Sequence, residues 1–201
     1  MQEEILKKMK MSVNKEEYSH NKICISFVGG PGYGKSTIAK ILCQKMNLFH
    51  TSTDIIRNYL KNLNIDISNY DKTTKLVSSI AYPFQDFLFK NKIDFVLDAN
   101  LMLYLDVLRT RCKNYGYKLF IIEIEISKEE ALRRSLKRLK ENNPDNLSNS
   151  DANDFQLFLS QLEEYKKNEK PEYIFAKINV ENDNIEKKLN EITTQIKAEI
   201  K

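Results

Sequence analysis

Short apolar runs alternate with longer amphipathic segments along most of the chain. Five apolar runs have the length and composition of buried strands, at residues 22–29, 48–52, 93–97, 117–126 and 173–180. Seven segments carry apolar residues at helical spacing, at residues 35–46, 54–60, 73–90, 101–115, 128–140, 154–167 and 185–200. Because strands alternate with helices, the pattern predicts a parallel β-sheet covered by helices, which is an α/β sandwich.

Two stretches fall outside this alternation. Residues 1–20 are polar, lack glycine and show only a short amphipathic pattern, which predicts an N-terminal tail or a loosely attached helix. Residues 142–150 are rich in Asn, Ser and Asp and predict a loop. The remaining chain, residues 21–201, is expected to form a single domain, since 201 residues suit one hydrophobic core.

Composition narrows the class of protein. The chain is 41% hydrophobic and 30% charged, which is typical of a soluble globular protein. No apolar run approaches the roughly 20 residues that a membrane span requires, so we expect no membrane association. The net charge of +4 comes from 32 basic and 28 acidic residues mixed along the chain, which gives a nucleic-acid partner little support. Cys24, Cys43 and Cys112 form no C-x-x-C pair, so a cytoplasmic protein without disulfides is expected.

One segment carries a specific binding motif. Residues 29–37 read Gly-Gly-Pro-Gly-Tyr-Gly-Lys-Ser-Thr, a full match to the phosphate-binding pattern G-x-x-x-x-G-K-[ST]. The motif follows a predicted strand and opens a predicted helix, which is the context that a P-loop requires. Glycines let backbone amides surround a phosphate, and the helix N-terminus favours the same anion. The sequence therefore predicts a nucleoside triphosphate site.

Two side chains of this motif have separate expected roles. Lys35 would supply a positive charge to the β- and γ-phosphates, and Ser36 would offer its hydroxyl to Mg²⁺. A nucleoside triphosphate and Mg²⁺ are therefore expected at this site. The residues expected to bind the nucleotide are Gly30, Gly32, Tyr33, Gly34, Lys35, Ser36 and Thr37.

An acidic and a basic residue follow the second predicted strand. Asp54 and Arg57 are three positions apart, so they share one face of the predicted helix. Asp54 suits a general base that takes the proton of an attacking hydroxyl, and Arg57 suits a grip on an anionic acceptor. The simpler alternative for Asp54 is the helix N-cap, unless Thr53 takes that position.

A second carboxylate follows the third predicted strand. Asp98 directly follows the apolar run at 95–97, which is the sequence pattern of a Walker B site. Its carboxylate could hold Mg²⁺ directly or through water. Asn100 could contact the substrate or support the loop. Because ligands bind beyond the carboxyl ends of strands in such sheets, the P-loop, Asp54 and Asp98 are expected at one edge.

The helix after the fourth strand is strongly basic. Arg134 and Arg138 share a face and are expected to close over the nucleotide as a lid, where they would neutralise charge on the transferring phosphoryl group. The alternative is a solvated helix face on which arginines pair with acidic residues such as Glu130. We assign that simpler role to Arg133.

Two other chemistries are excluded on sequence grounds. Residues 91–94 read Asn-Lys-Ile-Asp, the guanine-reading pattern of GTPases, but here the tetrapeptide precedes a strand and no D-x-x-G follows. A Ras-like GTPase is therefore rejected. His20 and His50 are too few for a histidine metal site, and His50 is expected to be a packed side chain.

The order of these motifs resembles the P-loop kinases of the AAA-33 and zeta-toxin type, with a layout similar to polynucleotide kinase. The resemblance covers about residues 22–198 and rests on residues 29–37, 52–57, 95–100 and 130–138. It implies a three-layer P-loop NTPase sandwich with strand order 2-3-1-4-5, a helical lid and an ATP donor with Mg²⁺. It also implies that Asp54 is the general base, that Arg57 binds the acceptor's phosphate and that Arg138 is the lid arginine, with Arg134 beside it.

The expected reaction is transfer of the γ-phosphoryl group of ATP to a hydroxyl of a small metabolite or nucleotide. Three alternatives stay open: a polynucleotide 5′-hydroxyl kinase, a zeta-like toxin that phosphorylates a sugar nucleotide, and a nucleotide-binding switch without catalysis. Residues 101–108 contain no Lys or Arg, which disfavours a nucleic-acid acceptor. The acceptor and the oligomeric state cannot be read from the sequence.

Overall fold

The computed structural model describes residues 1–30, 32–67, 69–101, 104–142, 160, 163 and 171–200. At positions 70, 100, 135, 138–142 and 171 it describes the backbone alone. The predicted helix at 154–167 and nearly all of the predicted loop at 142–150 therefore lie outside the described residues, apart from helical positions 142, 160 and 163. The same holds for the side chains of Asn100 and Arg138, two predicted site residues.

The described elements follow the predicted alternation. The strands are β1 (Ile23–Val28), β2 (Phe49–Ser52), β3 (Phe95–Asn100), β4 (Lys118–Glu125) and β5 (Ile174–Asn179). The helices are α1 (Gln2–Met11), α2 (Lys35–Met46), α3 (Thr53–Asn62), α4 (Tyr70–Lys90), α5 (Leu105–Tyr115), α6 (Lys128–Asn142) and α7 (Ile185–Glu199). Short 3₁₀ turns lie at Lys15–Glu17 and Pro171–Tyr173.

The five strands form one parallel sheet in the order β2-β3-β1-β4-β5, which confirms the predicted topology. Every residue of β1 is buried, because this strand is central in the sheet and covered on both faces. Helices α2 and α7 contact each other on one face, while α4 and α5 are joined by hydrogen bonds from Arg111 to Tyr82 and Asp86. Right-handed crossovers put α4 and α5 on the opposite face, so the fold is a three-layer α/β sandwich.

Strand β3 differs from the prediction. It was expected at 93–97 but runs from Phe95 to Asn100. Its pairing with β1 skips two residues, since Ser26 pairs with Leu97 and Phe27 pairs with Asn100. Asp98 therefore lies in a bulge on the β1 side of the strand while it still pairs with Ser52 of β2. Bulges of this kind redirect side chains and are common beside active sites.

The N-terminal segment is a packed helix. Ile5 and Met9 of α1 are 1% and 3% exposed, and the helix contacts α4. The ammonium groups of Lys10 and Lys15 lie 5.7 and 5.4 Å from the ring centre of Phe87 on α4. The segment is thus attached more closely than a tail or a loose helix would be. The domain boundary at residue 20 remains a prediction.

The Asn-Lys-Ile-Asp tetrapeptide lies at the amino-terminal edge of the sheet. Asp94 is fully buried, and its carboxylate accepts hydrogen bonds from the backbone amides of Asn21 and Ile23 at 2.8 and 2.9 Å. The Asn21 side chain donates a third bond at 3.2 Å. This carboxylate holds the start of β1 against β3, on the side away from the P-loop.

Candidate active site

The P-loop connects β1 to α2, and glycines allow the backbone conformations that it adopts. Gly34 precedes α2 with φ of 90°, in the left-handed region. Gly29 has φ of 150°, and a Cβ atom there would lie 3.0 Å from the Tyr33 ring and 3.2 Å from the Ile124 carbonyl oxygen. Any other residue at position 29 would therefore strain this path of the loop. The loop leads directly into α2, so the N-terminus of this helix faces the loop. A helix N-terminus in this position favours a bound anion.

Tyr33 has a structural side chain within this loop. The side chain is buried with 6% exposure, packs against the Gly29 backbone and joins the core, and burial raises the pKa of its hydroxyl. The sequence predicted that Tyr33 binds the nucleotide. The backbone amide of Tyr33 donates to the Gly30 carbonyl oxygen at 3.2 Å, so it would have to exchange this partner to contact a phosphate.

Lys35 lies against the loop. Its Nζ atom donates hydrogen bonds to the carbonyl oxygens of Gly29 and Gly30 at 2.9 and 2.6 Å. These bonds keep a positive charge beside the backbone that surrounds the expected phosphate position. The geometry fits the predicted role of Lys35 as a ligand of the β- and γ-phosphates.

Asp98 and Ser36 bring a carboxylate and a hydroxyl together. The side chain of Asp98 is 6% exposed, and its Oδ2 atom lies 3.3 Å from Nε2 of His50. Burial acts to raise the pKa of Asp98, but hydrogen bonds from His50 and Ser36, together with electrostatic interactions with His50 and Lys35, outweigh it. The pKa of Asp98 is therefore lowered, and the carboxylate is ionised at neutral pH.

This oxygen pair fits a magnesium ion. Mg²⁺ prefers hard oxygen ligands and keeps several water molecules, so a hydroxyl, a carboxylate and phosphate oxygens suffice. Within the described residues, no group of three His, Cys, Asp or Glu side chains could hold a metal by itself. A metal at Ser36 and Asp98 would thus depend on oxygens of the bound nucleotide.

Asp54 and Arg57 share the first turns of α3, as their spacing predicted. The cap of this helix is neither Asp54 nor Thr53 but Ser52, whose hydroxyl accepts from the Asp54 amide at 3.1 Å. The carboxylate of Asp54 is consequently released from capping and is 76% exposed. Nη1 of Arg57 donates to Thr53 Oγ1 at 3.0 Å and to Asp54 Oδ1 at 3.1 Å. One oxygen of Asp54 is oriented by this ion pair.

The arginines of α6 pair with an acidic residue on their own helix. Glu130 accepts from Arg133 at 2.6 Å and from Arg134 at 2.7 Å. The hydrogen bond from Arg133, followed by that from Arg134, lowers the pKa of Glu130 to about 2. The sequence predicts a surface role for Arg133 and a lid role for Arg134. In the structure both arginines form an ion pair with Glu130. The lid role of Arg134 remains a prediction.

The start of α6 is joined to the turn after β5. Glu181 accepts from the backbone amide of Ser127 at 2.6 Å and from its hydroxyl at 2.9 Å. The Ser127 hydroxyl in turn accepts from the Glu130 amide at 3.3 Å. This connection brings the base of the predicted lid next to a second loop at the carboxyl edge of the sheet. Sequence reasoning missed Glu181, because nothing local marks it as a partner of Ser127.

The sheet order places three predicted site regions side by side. Strands β2, β3 and β1 are adjacent and parallel, so Asp54, Asp98 and the P-loop lie at the same edge. The sequence predicts His50 as a packed side chain, whereas its Nε2 atom lies 3.3 Å from Asp98. Alternation along β2 puts residues 50 and 52 on one face, but linking His50 to Asp98 also requires the register between β2 and β3.

No helix in the described part of the chain has the length and hydropathy to cross a bilayer.

Solved structures of kinases share this fold. Shikimate kinase from Acinetobacter baumannii in complex with shikimate superposes with a TM-score of 0.56 at 12% identity, covering 90% of this chain and 96% of that chain. The Mycobacterium tuberculosis APS kinase CysC, in complex with AMPPNP and APS, superposes with a TM-score of 0.55 at 14% identity. That match covers 87% of this chain and 97% of the APS kinase chain. At such low identity these similarities show a P-loop kinase fold.

Sequence comparison gives the family. No curated protein shows significant similarity to the chain. The model of the family described as zeta toxin matches residues 7–188, which include every predicted site residue from the P-loop to α6. The chain therefore belongs to the zeta-toxin family of P-loop kinases.

Proposed function

We propose that this protein is an ATP-dependent kinase that transfers the γ-phosphoryl group to a hydroxyl of a small metabolite or nucleotide. The observation that carries the proposal is the alignment of three strand ends. The P-loop follows β1, the Ser36–Asp98 pair lies beside it, and Asp54 follows the outer strand β2. A phosphate site, a metal site and a base in this order suit transfer between a donor and an acceptor.

The donor half of the site uses the backbone and two side chains. Amides of residues 30 and 32–37 would surround the phosphates, and Lys35 would exchange its carbonyl partners for β- and γ-phosphate oxygens. Ser36 and Asp98 would hold Mg²⁺, which would supply charge neutralisation to the phosphates. Arg134 and Arg138 would add positive charge from α6.

The acceptor half of the site uses α3. The exposed carboxylate of Asp54 takes the proton as the acceptor oxygen attacks the γ-phosphorus. The new bond joins that oxygen to phosphorus, the bond from phosphorus to the β–γ bridging oxygen breaks, and ADP leaves with its electron pair. Arg57 orients Asp54 and would also bind an anionic group on the acceptor.

Family membership favours one acceptor class as a second, narrower candidate. In this reading the protein acts as a zeta-like toxin that phosphorylates a hydroxyl of a sugar nucleotide, and its expression would halt growth. The match over residues 7–188 supports it. A polynucleotide acceptor has less support, because residues 101–108 contain no basic side chain.

A mixed-acceptor assay tests the proposal and separates these classes. The protein is incubated with Mg-ATP and three pools: hydroxylated metabolites, sugar nucleotides, and oligonucleotides with a 5′-hydroxyl. Mass spectrometry then detects products heavier by one phosphoryl group, and a Lys35→Ala variant serves as the control. A product in the first or second pool supports the proposal. ATP binding without any product supports a nucleotide-binding switch.

A further inference from the structure

His50 is a polar side chain beside the candidate site that the proposed reaction does not use. It lies on β2, two residues before Ser52, and its Nε2 atom contacts Asp98 Oδ2. We propose that His50 is a positioning residue that fixes the Asp98 carboxylate for magnesium bound with the nucleotide. This inference rests on the proposed function, since it assigns His50 a part in the same donor site.

The strand register explains why His50 can reach this carboxylate. In the parallel pairing of β2 with β3, Ser52 lies opposite Asp98 and His50 lies opposite Val96. Side chains two apart on a strand share a face, so His50 reaches Asp98 diagonally across one face of the sheet. The backbone of a paired strand is held in place, so it positions a side chain more precisely than a loop does.

Asp98 needs such a support because its own backbone is irregular. The bulge at Asp98 removes it from regular pairing with β1, the strand that leads into the P-loop. The carboxylate is held instead by side chains from both sides, with Ser36 on α2 and His50 on β2. Rotation about the Cβ–Cγ bond of Asp98 would break at least one of these two contacts.

The chemistry of the contact fixes the direction of the hydrogen bond. An ionised carboxylate only accepts hydrogen bonds, so Nε2 of His50 must carry the hydrogen that it donates. With one donor held on Oδ2, the remaining lone pairs of Asp98 would be available to Ser36 and to a metal or its water. Partners of this kind typically change metal affinity or activity 10–100-fold when they are removed.

Two amide substitutions separate positioning from simple packing. In His50→Gln the amide nitrogen can occupy the place of Nε2 and donate to Asp98. In His50→Asn the shorter amide reaches only the place of Nδ1 and loses the contact. The two variants are similarly polar, so they differ chiefly in the hydrogen bond under test.

Isothermal titration calorimetry provides the readout, with ATP titrated into each protein in excess Mg²⁺ and again in excess EDTA. The ratio of the two affinities measures the enhancement by magnesium. We expect His50→Asn to reduce this enhancement about tenfold. Its affinity in EDTA and its melting temperature should stay close to those of the wild type, and His50→Gln should retain most of the enhancement.

Two results would overturn the inference. Equal enhancement in His50→Asn and wild type would show that magnesium does not depend on this contact. Equal losses in EDTA and in Mg²⁺, together with a lower melting temperature, would show that the histidine only stabilises the fold. Either result leaves the proposed function intact, whereas a wild type that binds no ATP in Mg²⁺ removes both proposals.

Discussion

At the scale of single residues, Gly29 and Lys35 show how the P-loop depends on a few atoms. The nine-residue motif is contiguous, so its chemistry can be read directly from the sequence. The packing of Tyr33 under Gly29 could not be read in this way, because the motif allows any residue at position 33. The contact from His50 to Asp98 joins two strands and depends on their register, which a single sequence does not give.

Replacing Gly29 with alanine should damage both stability and binding. Its φ of 150° would strain an alanine, and a Cβ atom 3.0 Å from the Tyr33 ring would force the neighbouring atoms to move. We expect a loss of roughly 1–3 kcal/mol in the free energy of unfolding, measured in urea, and weaker ATP binding. Gly116→Ala is the matched control, since Gly116 has φ of 69° at the end of α5 and an added Cβ would meet only Lys22 Nζ, at 3.9 Å. That variant should lose stability but keep the ATP affinity, and unchanged ATP binding in Gly29→Ala would contradict this account of the loop.

Replacing Lys35 with alanine should weaken ATP binding and stop ATP turnover. The substitution removes the ammonium group that lies beside the carbonyl oxygens of Gly29 and Gly30. Charge-assisted contacts to phosphate are strong, so we expect a fall in affinity of about tenfold or more. Lys45→Ala is the control. Lys45 lies in the last turn of α2, at the end of the helix away from the P-loop, and donates a hydrogen bond to Asn190. Equal ATP affinities in the two variants would exclude Lys35 as a phosphate ligand.

At the scale of elements, the two ends of β3 have different roles. Its carboxyl end holds Asp98 within a bulge, and just before its amino end Asp94 ties the start of β1 to the sheet. Sequence alone predicted the alternation of strands and helices, but it placed the end of β3 too early, because a bulge leaves no clear signature in the hydrophobic pattern. It also left α1 without a partner, since the receiving surface on α4 forms only in the fold.

Asp94→Asn should lower stability and leave nucleotide choice unchanged. The fully buried carboxylate accepts three hydrogen bonds. The side-chain NH₂ group of asparagine cannot accept, so at least one of these donors would lose its partner. Leaving a buried donor unpaired costs about 1–3 kcal/mol, which urea unfolding would measure. Binding of ATP and GTP by the same protein is the second readout. A change in preference between the two nucleotides would revive the guanine-reading role of this tetrapeptide.

At the scale of the whole molecule, the strand order turns distant parts of the sequence into one site. Resemblance supplied the order 2-3-1-4-5, and the structure confirms it. The periodicity of a single sequence gives strands and helices but not which strands are neighbours. The predicted helix at 154–167 and the predicted roles of Asn100 and Arg138 remain predictions. The proposed acceptor side of the site therefore rests on Asp54 and Arg57.

The most direct test of the central claim compares phosphoryl transfer and ATP affinity in wild type and Asp54→Asn. Asparagine keeps the size of the side chain but cannot accept the hydroxyl proton. We predict that Asp54→Asn binds Mg-ATP with nearly wild-type affinity and transfers at least a hundredfold more slowly to the acceptor found in the pooled assay, within the usual range for loss of a general base. Transfer by Asp54→Asn at the wild-type rate would contradict the assignment of Asp54 as the base of this kinase.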